Sequence, residues 1–518
     1  MTAPTYASPF EHGVVCSPHA LASASGLAVL RDGGNALDAA VATNLTLGVV
    51  APYSCGFGGD LFAIVWRDGV AAYNGSGRAP AAMTAEVVRA ATGDTMPERG
   101  PLPITVPGAA EAWFSLLNRF GTRSFGQLAT DALRYARDGF PITELGAESI
   151  AEVREEFAGS AAWHAVYGEI HRPGDVLRQP DLGRTIQALA DEGPDVYYRG
   201  SIAAAIAEAV STAGGLMTTL DLAEHRGEWV EPLSARYRDV DVLELPPNTQ
   251  GVAVLEALRI LDELGPLPPD GLDRQHRLIE VTKLALADRD AHVTDPEHMR
   301  IDPAQLLSTS WVRERAALFD PTRAREPGRV RSVDSGTAYL CAADRGGMLV
   351  SLIQSNFLGF GSGLTVPRWG INLHDRGATF SLDDGHPNVV APRKRTLHTL
   401  IPALALRDGA PWLAFGTMGG HGQAQTHVQL LAHVVDDRDD VQSAISAPRW
   451  LVDLSDWSVT AEDRFADEVF DGLAKRGHRV ARAPAFVQSM GHAHAIEVVP
   501  GGFASATDPR AEGAPAGF

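Results

Sequence analysis

The stretch Ser335-Gly336-Thr337-Ala338-Tyr339-Leu340-Cys341-Ala342-Ala343-Asp344-Arg345-Gly346-Gly347-Met348-Leu349-Val350-Ser351-Leu352-Ile353-Gln354-Ser355 reads as a β-hairpin. Residues 337–343 and 348–355 are apolar and rich in strand formers, and Asp344-Arg345-Gly346-Gly347 between them is turn chemistry. Pairing Ala343 with Met348 and counting back along both strands brings Thr337 level with Gln354 or Ser355. The Thr337 and Ser355 hydroxyls then lie side by side at the open end. A Gly-Thr bond in that position carries chemistry. Attack of the Thr337 hydroxyl on the Gly336 carbonyl would cut the chain and leave Thr337 with a free α-amine. Such an amine, with an ordinary pKa of about 8, can act as the base for its own hydroxyl. On the local pattern alone, a plain strand start is the alternative.

With 518 residues the chain is long enough for one large layered domain or two intertwined parts. Its 45% hydrophobic and 21% charged residues are ordinary globular composition. A net charge of −20 argues against nucleic acid and anionic membrane as partners. Cys16, Cys55 and Cys341 have no metal-ligand spacing and give no disulfide framework, which fits a reducing compartment. The opening Met1-Thr2-Ala3-Pro4-Thr5-Tyr6 has no basic start followed by an apolar run, so a cytoplasmic location is expected. The longest apolar stretch, residues 36–52, is broken by Asp38, Thr43, Asn44 and Thr46 and reads as a buried helix, not a membrane span.

Residues 18–52 read as two alanine-rich helices parted by Gly33-Gly34, with Asn35 as N-cap and Asp38 near the positive helix end. Cys55-Gly56-Phe57-Gly58-Gly59-Asp60 precedes a strand over 61–66. It lacks Gly-Lys-Ser/Thr, and its helix–loop–strand order excludes a nucleotide loop. A strand over 69–73 leads to Ser76 and Arg78, the latter either an anion contact or a solvated loop residue. Residues 120–230 are mainly helical, 240–245 form a strand, and helices follow from 251 and over 276–292. Glu280, Lys283 and Asp288 fall at ion-pair spacings rather than forming a catalytic set. Residues 321–335 look like an exposed approach to Thr337. Strands over 399–406 and 412–415 lead to Gly419-Gly420 and a helix over 422–435. Gly-Gly between strand and helix can offer backbone N–H groups to an oxyanion, or serve only as a tight turn. Strands and helices come in runs, which points to sheets packed face to face with helices outside.

Along nearly its whole length the sequence resembles the γ-glutamyltransferase (glutathione hydrolase) family of N-terminal-nucleophile hydrolases. The likeness is carried by Leu30-Arg31-Asp32-Gly33-Gly34-Asn35-Ala36-Leu37-Asp38-Ala39-Ala40, by Gly214-Gly215-Leu216-Met217-Thr218, by residues 278–289, by the hairpin, by Phe360-Gly361-Ser362-Gly363 and by Gly419-Gly420. The resemblance implies an α+β, four-layer αββα sandwich. It implies a chain that cleaves itself between Gly336 and Thr337 into a large fragment, 1–336, and a small one, 337–518, which stay together as one intertwined domain. Thr337 falls on the family's nucleophile, Ser355 on its hydroxyl partner and Gly419-Gly420 on the oxyanion hole. No metal or organic cofactor is needed. A homodimer of the two-fragment unit is compatible with the sequence.

The departures fall on the substrate clamp. Ser76 stands where the family's clamp arginine is expected, two residues before Arg78, and Phe357 stands for an asparagine. Arg376 and Thr379 stand for a glutamine and an aspartate, and His398-Thr399 for a serine pair. Loss of the aspartate removes the counter-charge for an ammonium group, while Arg376 adds a cation that suits a carboxylate. This pattern is similar to the non-secreted, glutathione-hydrolase-like branch, which includes acylase-like and oxamate-amidohydrolase-like enzymes. The expected partner is a small-molecule amide. Three readings stay open: γ-glutamyl transfer or hydrolysis with a rebuilt clamp, acylase or small α-keto-amide hydrolysis, and an unprocessed scaffold. His492 and His494, alternating on a strand, read as core residues rather than metal ligands.

Overall fold

The computed structural model describes residues 10–328 and 336–518. Two antiparallel sheets form the centre. From edge to edge the first runs Ala516–Gly517, Gly13–Cys16, Gly336–Asp344, Leu349–Phe357, Asp60–Trp66, Val70–Asn74 and Glu228–Val230. The second runs Gly502–Thr507, Ala493–Val499, Ala410–Thr417, Ala403–Arg407, Val240–Glu244 and Leu233–Tyr237. Segments from both sides of residue 336 therefore share both sheets.

The period of two along the hairpin sets the layers. Tyr339, Cys341 and Ala343 face the second sheet and pack with its Leu404, Ala414 and Ile496. Ala338, Leu340 and Ala342 face the other way, against Ala20–Arg31, Ala36–Val50 and Ala109–Phe120. The outer face of the second sheet, through Val242, Ala405, Leu413 and Phe415, is covered by Gly251–Glu263, Leu272–His292 and Gly422–Leu431. The result is the expected four-layer αββα sandwich. Asn35 and Asp38 form a reciprocal capping box, with backbone-to-side-chain distances of 3.0 and 2.9 Å. Lys283 and Glu280 form a buried ion pair at 3.1 Å, and Asp288 pairs with Arg315. Residues 321–328 are largely exposed, and the rest of the predicted approach loop lies outside the described residues. The same is true of the first nine residues, on which the expectation about a leader segment rests. Among the described residues no helix is long and apolar enough to cross a membrane.

Two expectations need correction. Ala343 pairs with Leu349, not Met348, because the Asp344 N–H donates to the Met348 carbonyl at 3.1 Å and closes the turn. The strand expected from residue 399 begins at Ala403. The preceding residues are drawn aside by backbone bonds between His398 and both Asn248 and Gln250.

Candidate active site

At the open end of the hairpin the ladder slips. Gln354 pairs with Ala338 but Phe357 pairs with Gly336, so the second strand carries one extra residue. Phe357 takes up the bulge with φ 73°, a left-handed conformation unusual for a bulky side chain. The Ala343–Leu349 register itself brings Ser355 level with Thr337, and the bulge begins just beyond Gln354. The Thr337 hydroxyl donates to Ser355 Oγ at 3.3 Å, and the Ser355 hydroxyl donates to the Gly336 carbonyl at 2.5 Å. Ser355 Oγ also accepts the Phe357 N–H at 2.7 Å. Thr337 is buried. Gly59 lies against this end: a Cβ there would sit 2.3 Å from the Ser355 carbonyl, so close backbone approach explains a glycine in the loop before Asp60.

Across the next strand, Asp60 pairs with Ser355. Asp60 Oδ1 accepts the Gly77 N–H at 3.1 Å, and Oδ2 lies 3.1 Å from His398 Nε2 and 3.5 Å from His374 Nδ1. The Leu400 N–H donates to His398 Nδ1 at 3.4 Å, which leaves the proton on Nε2, directed at Asp60. Burial pushes the Asp60 carboxyl up, but His374, His398 and Arg376 together hold it at about 2. Burial, helped by Arg376, lowers His398 to about 3, so its ring is neutral at neutral pH.

Arg376 is 1% exposed. Its guanidinium stacks over the Phe357 ring at 4.1 Å, and Nη1 donates to Thr399 Oγ1 at 3.1 Å. Nε and Nη2 have no partner among the described residues. Burial lowers the group to about 10, which leaves it charged at neutral pH. The Thr379 hydroxyl is shared among the Arg376 carbonyl, Thr396 Oγ1 and the Leu397 carbonyl, at 2.9, 2.8 and 3.0 Å.

Gly419 and Gly420 have φ of 120° and 53°, where a side chain is disfavoured. Three successive carbonyls of their loop are tied back into the protein. Met418 O accepts from Thr417 Oγ1 at 2.9 Å, Gly419 O from the Gly422 N–H at 2.8 Å and Gly420 O from Gln250 Nε2 at 3.0 Å. The N–H of a trans peptide points opposite to its C=O, so the N–H groups of Gly419, Gly420 and His421 point away from these anchors. None of the three has an acceptor among the described residues. Gln250 Nε2 also donates to the Thr399 carbonyl at 2.8 Å, which joins this loop to the Arg376 wall.

Thus Thr337, Gly336, Ser355, Phe357, Arg376, Thr399 and Gly420 form one chain of contacts, with His398 attached through Asp60. Ser76 lies one residue before Gly77, and its hydroxyl donates to Asn74 Oδ1 at 2.7 Å. Arg78 is half-buried and not free: it pairs with Asp295 at 3.0 Å and with Glu228 and Glu297 at 3.4 Å, beside a separate cavity of about 160 Å³. His492 and His494 are buried, and His494 stacks parallel to Tyr339. Sequence reasoning missed Asp60, His374, Gln250 and Arg289. Asp60 was visible as a lone carboxylate opening an apolar strand, but its neighbours come from distant segments.

The Gamma-glutamyltranspeptidase family profile matches residues 22–518. The chain is 36% identical over 520 residues to the glutathione hydrolase-like YwrD proenzyme of Bacillus subtilis, covering 98% of each. It is 38% identical over 526 residues to the oxamate amidohydrolase proenzyme of Klebsiella pneumoniae, again covering 98% of each. In structure it is similar to the cephalosporin acylase from Bacillus halodurans, with a TM-score of 0.95 and 36% identity over 100% of this chain and 98% of that one. Sequence and fold agree from end to end, and the protein belongs to the gamma-glutamyltranspeptidase family of N-terminal-nucleophile enzymes.

Proposed function

We propose that this enzyme is a self-processing amidohydrolase or acyltransferase that acts on an amide whose acyl group carries a carboxylate. The observation that carries the proposal is the hydroxyl relay from Thr337 through Ser355 to the Gly336 carbonyl. Ser355 polarises that carbonyl while the Thr337 hydroxyl stands beside it. Attack by Thr337 Oγ1 on the Gly336 carbon moves the acyl group from nitrogen to oxygen. Water then cleaves the ester, leaving a carboxylate on Gly336 and a free amine on Thr337. Fragments 1–336 and 337–518 would stay associated, because both sheets draw strands from both. The relatives described as proenzymes support such processing.

In turnover the Thr337 amine takes the proton of its own hydroxyl, and Oγ1 attacks the substrate carbonyl. The outward N–H groups of Gly419 and Gly420 hold the oxyanion, and loss of one such donor costs about 3 kcal/mol of transition-state stabilisation. The departing amine receives the proton, and water or an acceptor amine releases the acyl group from Thr337. Arg376 offers two buried N–H directions that a carboxylate can fill. Asp60 is committed to Gly77, His374 and His398, so this wall gives an ammonium group little to bind. That favours an acylase-like or oxamate-amidohydrolase-like substrate over a γ-glutamyl one. The cysteine pattern supports action in the cytoplasm.

Intact mass of the freshly purified protein and of Thr337→Ala tests the mechanism. The wild type should give two species, the smaller beginning at Thr337, and the variant one uncut species without hydrolysis. A single uncut wild-type species, or turnover by the variant, overturns it. Glutathione or a γ-glutamyl anilide outperforming carboxylate-bearing acyl amides would replace the substrate reading.

A further inference from the structure

Arg289 is 0% exposed and has no carboxylate partner among the described residues. Its Nη1 donates to Gln250 Oε1 at 2.9 Å and to His421 Nδ1 at 2.8 Å, while Nε and Nη2 stay unpartnered. A guanidinium has no acceptor to offer, so the contact with His421 fixes the tautomer: Nδ1 accepts, and the proton resides on Nε2. Burial first, then the Arg289 and Arg376 cations, lower His421 well below the ordinary histidine range, which keeps the ring neutral. Nε2 has no protein partner among the described residues, and His421 lines a cavity of about 310 Å³ together with Thr379 and Leu397, and with the carboxylates of Asp94, Asp290 and Asp383. Thr379 and Leu397 belong to the wall that carries Arg376. A neutral N–H donor of fixed direction thus opens into a cavity whose wall shares Thr379 with the turn that carries Arg376.

We infer that His421 is a substrate-binding residue whose Nε2–H donates to the carboxylate of the acyl group, with Arg289 as the positioning residue that locks the donor tautomer. Arg376 supplies charge to that carboxylate, and His421 supplies a directed neutral bond. The inference rests on the carboxylate reading above.

The test needs no turnover. Glutarate, the dicarboxylate product of a carboxylate-bearing acyl amide, is titrated calorimetrically into the processed wild-type enzyme and into His421→Phe, His421→Gln, Arg289→Met and Arg376→Met. Loss of one hydrogen bond to a charged group should raise Kd by at least about tenfold in His421→Phe. His421→Gln keeps an N–H donor and should stay within about threefold of wild type. Arg289→Met frees the tautomer and should fall between them, which keeps the test decisive if His421→Phe does not fold. Wild-type-like binding by His421→Phe, or equal weakening in His421→Gln and His421→Phe, overturns the inference. If Arg376→Met alone loses binding, the carboxylate reading stands and the role of His421 falls. If wild type does not bind glutarate, both fall.

Discussion

Two pairs of buried guanidinium groups in this molecule are treated by the fold in opposite ways. Arg449 meets Asp508 at 2.7 Å, and Arg510 meets Glu462 at 2.7 Å and Asp508 at 3.1 Å. Their other donors reach the carbonyls of Ile445, Ala447, Met490 and Gly491. Burial pushes Asp508 up, but the two arginines hold it at about 2. Arg289 and Arg376 are buried just as deeply, yet each keeps two nitrogens without a partner among the described residues. An unmet buried donor costs free energy, and an unmet buried charge costs more. A fold that satisfies one cluster and leaves the other open has separated structure from site.

The comparison fails if the clusters respond alike. In the satisfied cluster, Glu462→Leu strands Arg510 and should lower the unfolding free energy by about 3–5 kcal/mol, read by denaturant titration. In the open cluster, Arg376→Met removes a charge that no carboxylate among the described residues bonds directly. Its stability should stay within about 1 kcal/mol of wild type. Its kcat/KM for a carboxylate-bearing amide should fall roughly 30-fold, about 2 kcal/mol, with apolar acyl amides spared. Equal loss on both substrate types would mean that Arg376 supports the fold of the wall rather than the substrate.

This contrast also explains how much the sequence could reveal. The hairpin is local, so turn residues and a count along two strands brought Thr337 to Ser355. The pairing expected at the turn was one residue off, and the observed register is the one that sets Ser355, not Gln354, opposite Thr337. Runs of strands and helices pointed to sheets packed face to face, and the family likeness implied the four layers. The wall is not local. Asp60 meets His374 and His398 only through strand pairing and the diverted segment before Ala403. Gln250 joins Thr399 to Gly420 across three separate stretches. Family likeness marked Arg376, His398 and Thr399 as departures; it took in Arg289 within the matching stretch 278–289 but gave it no role, and it said nothing of Gln250. Arg78 shows the converse: a loop arginine reads as available until three carboxylates from distant segments are seen around it.

A smaller effect concerns pH. His494 is buried against Tyr339, and neither ring nitrogen has a partner among the described residues. Burial lowers it to about 3. The unfolded chain takes up this proton near pH 6.5 and the folded chain does not. The stability it contributes is therefore present above about pH 6.5 and is lost as pH falls toward about 3. Between pH 6.5 and 5.5 wild type should lose about 1 kcal/mol more than His494→Phe, measured by denaturant titration at each pH. Parallel pH dependence in the two proteins would show that the ring is protonated in the folded state.

The smallest expected effect lies on the border between structure and site. Thr379 lines the cavity beside His421, but its hydroxyl is occupied by Thr396, Leu397 and the Arg376 backbone. Were it a brace, Thr379→Val would cost about 1 kcal/mol of stability and change kcat/KM by less than about twofold. The Arg376 side chain would keep its bond to Thr399 and its stacking on Phe357, so the carboxylate would still find its cation. A loss approaching that of Arg376→Met, at unchanged stability, would instead mean that the hydroxyl turns from its three partners to the substrate. Thr379 would then stand with the open cluster, and a neighbour already satisfied in the unliganded site could no longer be counted as structure on that ground.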